Sequence, residues 1–131
     1  MSQDVIADML TKIRNASKAK HEKVDIPMSK VKLEITKIFK NEGFIKNFKL
    51  IEANKKTYIR TFLKYDTDGN SVITGIDRVS KPGLRVYKAK DEMPRIFNGL
   101  GVVVVSTSKG IITGKKSKEQ NIGGEVICYI W

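Results

Sequence analysis

Apolar residues follow two rhythms along this chain, and the rhythm changes near its middle. Val5, Ile6, Met9, Leu10 and Ile13 recur at helical spacing and trace one helical face. Ser2 stands where a cap belongs. Asp4 and Asp8 fall in the first turns and Lys12, Arg14 and Lys18 toward the end, both placements suiting the helix dipole. Val24-Asp25-Ile26-Pro27 reads as a short strand closed by proline. Ser29 then caps a second predicted helix, with Val31, Ile35, Ile38 and Phe39 inward, Lys30, Lys32, Lys37 and Lys40 outward, and Gly43 at its end. Residues 44–51 (FIKNFKLI) and 57–65 (TYIRTFLKY), joined by 52–56, predict a β-hairpin packed on the two helices.

Past residue 65 the texture becomes strand-rich. The stretch 66–70 (DTDGN) reads as a turn and a domain boundary. Strands are predicted at 72–79, 85–88, 102–106 and 126–130, with turns at Pro82-Gly83 and Gly123-Gly124. One short helix is predicted over 115–120 behind a Thr113 cap. The expected class is α+β, in two small α/β domains. Residues 1–65 give an N-terminal unit of two helices and a β-sheet. Residues 66–131 give a C-terminal, mainly antiparallel β unit with one short helix.

Composition narrows the function. The chain has 131 residues, 40% hydrophobic and 30% charged, enough for one domain or two half-size ones. Its apolar runs, Val102–Val105 among them, are far too short to span a bilayer, and acids stand near the N-terminus where a signal peptide needs bases. A soluble, unexported protein is expected, and the single Cys128 suits a reducing compartment. The 25 Lys and Arg against 14 Asp and Glu leave a net charge of +11, a field that attracts polyanions, nucleic acid first and anionic membrane second. Residues 1–65 hold 15 basic and 7 acidic residues, and 66–131 hold 10 and 7, so purely Coulombic affinity would lie mostly in the first half.

Catalysis finds little support. His21 is the only histidine and no second ligand is positioned beside it; Cys128 alternates with Val126 and Ile130 as strand core; the serines lack a His–acid partner. The run 110–117 (GIITGKKS) imitates a phosphate loop but has one residue too few between its glycines, and Lys116 where a magnesium-binding hydroxyl belongs. Residues 66–70 echo a calcium loop with the glycine two positions early. No metal, cofactor or enzymatic activity is expected.

The strand 102–105 runs straight into Ser106-Thr107-Ser108-Lys109-Gly110. Hydroxyls on a rigid support can bond base edges, 2′-hydroxyls or phosphate, and lysine adds a point charge. Nearby, 80–88 (SKPGLRVYK) sets Tyr87 among Lys81, Arg85 and Lys88, an aromatic on which an unpaired base can stack. Each stretch alone reads equally well as a polar turn and an ordinary strand tyrosine. Together in so basic a chain they favour RNA over general nucleic-acid binding, which stays the alternative.

The chain resembles, end to end, the family of the eighth protein of the bacterial small ribosomal subunit. The resemblance rests on 4–16 (DVIADMLTKIRNA), 41–45 (NEGFI), 80–87 (SKPGLRVY), 105–114 (VSTSKGIITG) and 123–131 (GGEVICYIW), in one register. It implies a structural, cytoplasmic constituent of the small ribosomal subunit, with two α/β domains. It implies direct binding to the central domain of 16S-type ribosomal RNA early in assembly. Neighbouring small-subunit proteins are implied partners, and so, for some members, is the protein's own messenger RNA, whose translation they repress. By position it makes Ser106, Thr107 and Ser108 the main RNA reader, with Tyr87 and the Gly123-Gly124-Glu125 turn alongside. Thr11, Arg14, Asn15, Ser29, Lys30 and Lys32 would meet phosphate. Glu125 is odd there, because it repels phosphate; it would accept from a base amino group or hold the loop in shape.

One departure stands out. The family usually has an acid and then a small residue where this chain has Lys116 and Ser117. A glutamate at 116 would complete a capping box with Thr113; lysine cannot, at a cost of about 0.5–1.5 kcal/mol to the short helix. The added charge offers itself instead for a phosphate contact.

Overall fold

A computed structural model describes residues 4–94 and 99–131. The fold is α+β, and its contacts divide the chain into two compact units, Asp8–Thr74 and Met1–Ala7 with Gly75–Trp131.

Helix α1 covers Val5–Lys18, with Met9, Leu10 and Ile13 buried as expected and Ala16 beside them, while Val5, expected on the same face, is exposed at the helix start. Ser2, the expected cap, lies outside the described residues; the Ala7 amide donates to Asp4 Oδ1 at 3.0 Å, so Asp4 caps the first turn. Helix α2, Lys30–Asn41, starts on Ser29, whose hydroxyl accepts from the Lys32 amide at 3.2 Å, and Gly43 follows its end with φ +83°. Two of its expected directions are reversed. Val31 is 42% exposed and Lys32 only 6%, because Lys32 is turned toward Asp8 and Lys12 of α1 and its methylenes are covered.

The first unit holds a three-stranded antiparallel sheet in the order β1 (Lys23–Pro27), β3 (Lys56–Leu63), β2 (Ile45–Ala53). The expected five-residue connection is in fact a two-residue turn. Asn54 and Lys55 both take left-handed φ, 51° and 64°, the twist a tight hairpin needs, so both strands extend to meet it. The 66–70 turn forms: Asp66 Oδ1 accepts from the amides of Asp68 and Asn70, each at 2.9 Å.

The second unit holds a sheet ordered β4 (Ile76–Arg78), β8 (Gly124–Ile130), β6 (Val102–Thr107), β7 (Gly110–Thr113), with β5 (Tyr87–Lys88) sharing the β4 edge of β8. The expected strand 72–79 shortens to β4, because Val72 donates to the Lys64 carbonyl and Ile73 to the Ser71 hydroxyl instead of joining β8. The expected 85–88 shortens to β5, since residues 80–86 form a closed loop. Strand β7 was not expected; two isoleucines beside glycine carry too little period to announce it. Helix α3, Gly114–Glu119, starts on Thr113 as expected, with Gly114 and Ser117 buried and a Cβ built on Gly114 3.1 Å from Val103 Cβ.

Strand β6 is buried on both faces along its apolar run. Val103 and Val105 alternate with Val104, and all three lie at 5% exposure or less. Cys128, opposite Val104, is fully buried, and burial pushes its thiol up to about 12, which makes it inert core.

Candidate nucleic-acid interface

The end of that valine run is where one face of the sheet opens. Tyr87 in β5 lies opposite Glu125 in β8, and Glu125 lies opposite Ser106 in β6. Opposed residues of antiparallel strands point to the same side, and strands sit about 4.8 Å apart. Tyr87, Glu125 and Ser106 therefore make a row about 10 Å long. Helix α3 packs on the opposite side, against Val103.

Tyr87 is 67% exposed, presenting its ring to solvent. Its strand is placed by a group the sequence reading missed. The Ser80 side chain is fully buried; its hydroxyl accepts from the Val86 amide at 2.8 Å and lies 3.3 Å from the Val86 carbonyl. Lys81 and Leu84 exchange backbone bonds of 3.0 and 2.9 Å across Pro82-Gly83. That loop leaves the Lys81 and Arg85 side chains outside.

The puzzle of Glu125 has a local answer. Arg85 Nη1 donates to Glu125 Oε2 at 3.0 Å, and this bond raises the pKa of the guanidinium. The carboxylate enters the row already balanced by a cation, so its repulsion of phosphate is largely cancelled while an oxygen remains able to accept.

The hydroxyl loop is a two-residue hairpin turn at Ser108-Lys109, closed by Thr107 opposite Gly110. Thr107 Oγ1 donates to the Gly110 carbonyl at 2.7 Å and accepts from the Lys109 amide at 3.1 Å. Gly110 sits at φ +109°, which a side chain would resist. The Thr107 hydroxyl thus shapes the turn, while Ser108 and Lys109 are exposed at its tip.

The two glycines serve close approach. A Cβ on Gly124 would collide with the Ser106 carbonyl oxygen, and one on Gly123 would lie 2.5 Å from the Lys88 carbonyl oxygen. They let β5, β8 and β6 meet tightly enough to align the row.

The other sequence-derived positions fall in the unit Asp8–Thr74. Thr11 and Asn15 are exposed on α1 and Arg14 is half-buried there. Ser29 spends its hydroxyl on the α2 cap, beside exposed Lys30, at a helix end that favours anions. The Lys32 ammonium has its pKa lowered by desolvation first and by the charge of Lys12 second, with Asp8 opposing. Among the described residues no cluster of three or more His, Cys, Asp or Glu could hold a metal ion. No described helix is long and apolar enough to cross a membrane.

The family model described as Ribosomal protein S8 matches residues 4–131. Among curated proteins, one from Thermodesulfovibrio yellowstonii, named Small ribosomal subunit protein uS8, is 55% identical over 131 residues and covers all of both chains. Proteins of the same name from Oceanobacillus iheyensis and Streptococcus pneumoniae are 55% and 53% identical over 128 residues, covering 98% of this chain and 97% of theirs.

Proposed function

The chain belongs to the ribosomal protein S8 family, and from that premise we propose that it binds the central domain of small-subunit ribosomal RNA directly and acts early in subunit assembly. Membership makes it a structural, non-enzymatic component of the small ribosomal subunit, in the cytoplasm. Its partners there are ribosomal RNA and other small-subunit proteins. In this reading residues 1–65 grip phosphate through Thr11, Arg14, Asn15, Ser29 and Lys30, with Lys32 adding its field from below the surface. Residues 66–131 read the RNA. Repression of its own messenger RNA follows wherever that RNA presents a similar fold.

The observation that carries the proposal is the row Tyr87–Glu125–Ser106, ending beside Ser108 and Lys109. It offers one stacking surface, one balanced acceptor and hydroxyls at fixed spacing. That suits an unpaired or distorted RNA site better than a regular duplex. Lys81 and Lys109 supply sequence-independent affinity through counterion release.

The test compares a central-domain ribosomal RNA fragment with a plain duplex of equal length across a salt series. The fragment should win at high salt, and Tyr87→Leu and Ser106→Ala should each remove much of that advantage. Stacking alone is worth about 1–3 kcal/mol. If both RNAs bind alike and weaken in parallel with salt, the specific reading fails and a general basic surface is left.

A further inference from the structure

The β1–β3–β2 sheet has a face that the interface above does not use. On one side Ile59, Thr61 and Leu63 of the central strand β3 are buried at 4% exposure or less. On the other side the alternate residues Tyr58, Arg60 and Phe62 are only half-buried. A central strand has neighbours at both edges, so this exposure comes through an open face. Arg60 and Asp25 keep 27% and 38% of their side chains exposed there, joined by two bonds of 2.9 and 3.0 Å.

Cations crowd one ring on that face. Lys23 lies opposite Phe62 in β1 and Asn47 lies opposite it in β2. Lys49 Nζ is 5.7 Å from the Phe62 ring centroid. The pairing of β2 slips between Ile45 and Asn47, and the intervening Lys46 joins Lys20 and Lys64 around a cleft of about 540 Å³ that Phe62 also lines. Five lysines therefore surround one aromatic side chain. Glu22 is the one acid lining the cleft, and Asp25 is already held by Arg60. None of the five lysines forms a salt bridge among the described residues.

We propose that this open face is a second RNA-contact surface, which takes an unpaired RNA segment by stacking a base at Phe62 and placing the flanking phosphates among the surrounding lysines. The inference rests on the RNA-binding reading above and adds to it the open sheet face of the unit Asp8–Thr74. The charge selects the occupant. Five like charges around a ring repel one another, and a polyanion relieves that repulsion where a neutral or basic partner does not. Every base has a face that can stack, so the surface needs no particular sequence. Tyr58, four residues back and about 13 Å along the strand, offers a second ring.

The probe is a fluorescein-labelled single-stranded oligoadenylate of about eight nucleotides, within the span of ordinary single-strand sites, titrated with the full chain by anisotropy. Phe62→Leu should weaken binding about tenfold, the low-to-middle part of the stacking range, and Phe62→Tyr should restore it. Lys46→Gln with Lys64→Gln changes only exposed charges and should flatten the slope of log affinity against log salt by about 1.4, at about 0.7 per phosphate contact on a single strand. The inference is overturned if Phe62→Leu and the lysine pair bind the oligomer as the wild type does, whatever else docks on the face. Loss of the fragment's advantage over duplex, with oligomer binding still dependent on Phe62, would sink the central-domain reading and leave this surface standing.

Discussion

Replacing Lys116 by glutamate tests whether the local physics of α3 is understood. Thr113 Oγ1 accepts the Lys116 amide at 3.1 Å, so half of a capping box exists. The other half needs a side chain at 116 that accepts from the Thr113 amide. In the β6–β7 hairpin, Thr107 and Gly110 close a two-residue turn, and hydrogen-bonded pairs alternate from there. Val104 and Thr113 are then a non-bonded pair, and the Thr113 amide points away from β6, within reach of a glutamate. The reciprocal bond is worth about 0.5–1 kcal/mol. Exchanging positive for negative charge in the first turn adds about 0.3–1 kcal/mol. Glu119, three residues on, would repel the new carboxylate by about 0.3 kcal/mol. The net expectation is stabilisation of about 1 kcal/mol, or a urea midpoint raised by about 0.5 M at a slope of about 2 kcal/mol/M. Trp131 reports it, because its backbone exchanges two 3.0 Å bonds with Gly75 in the same unit. Lys116→Gln should recover the box without the charge, and salt should erode only the charge-dependent part. Because α3 packs on the side away from the Tyr87–Ser106 row, central-domain affinity should change less than twofold, about 0.4 kcal/mol. A glutamate variant no more stable than Lys116→Ala would refute the box, and a large loss of RNA affinity would place Lys116 at phosphate.

Three further outcomes follow from single contacts. Burial alone would raise the pKa of Asp4, but the Ala7 amide and Arg78, 3.0 Å away, overcome it and hold the carboxyl below its usual value. Its stabilising contribution is therefore full above the ordinary carboxylate pKa and is lost as pH falls through the lowered one; acid titration of Trp131 fluorescence should show this step, and Asp4→Asn should abolish it. Gly124→Ala should cost about 2–3 kcal/mol in urea unfolding and weaken RNA binding with it, since the methyl group must push β8 off the Ser106 carbonyl. Cys128 should resist a thiol reagent at pH 8 until the C-terminal unit unfolds; labelling at the rate of a free thiol would contradict its burial.

The periods of α1 and α2 were easy to read because they extend over several turns, and Ser29 marks the start of α2; the six-residue α3 was legible only through its Thr113 cap. Short elements were not. Strand β7 and the shortening of 72–79 and 85–88 depend on which carbonyl each amide reaches, and that is decided by chain segments far away in sequence. The direction of Lys32 failed for a related reason: a lysine on a helix face reads as solvent-facing until tertiary packing covers its stem. At the candidate site, residue types were legible but their duties were not. Thr107 stands among the expected reader positions and its hydroxyl also holds the turn; Ser80 looked ordinary and closes the loop before Tyr87. The chemistry around Phe62 was hidden because its lysines come from separate segments and meet only through strand register.

On the proposed RNA-binding reading, the valine run and the hydroxyls that follow it are one device. A loop that recognises RNA by fixed spacing must not move by much, since an error of about 1 Å degrades a positioned hydrogen bond. Burial of β6 on both faces, between Tyr129 and Cys128 partners on one edge and β7 on the other, clamps the strand up to Val105. At Ser106 the cover ends on one face, and the backbone still carries that rigidity into the turn. Gly124 brings β8 close at this register, and Arg85 steadies Glu125 there. The other face stays closed beneath α3. The two faces can then be altered separately: changes beneath α3 should move stability and leave specificity, whereas Tyr87→Leu should do the reverse. A variant such as Val103→Ala that lowered the fragment's advantage over duplex without lowering stability would show that the two faces are coupled, and that the rigid-strand account is wrong.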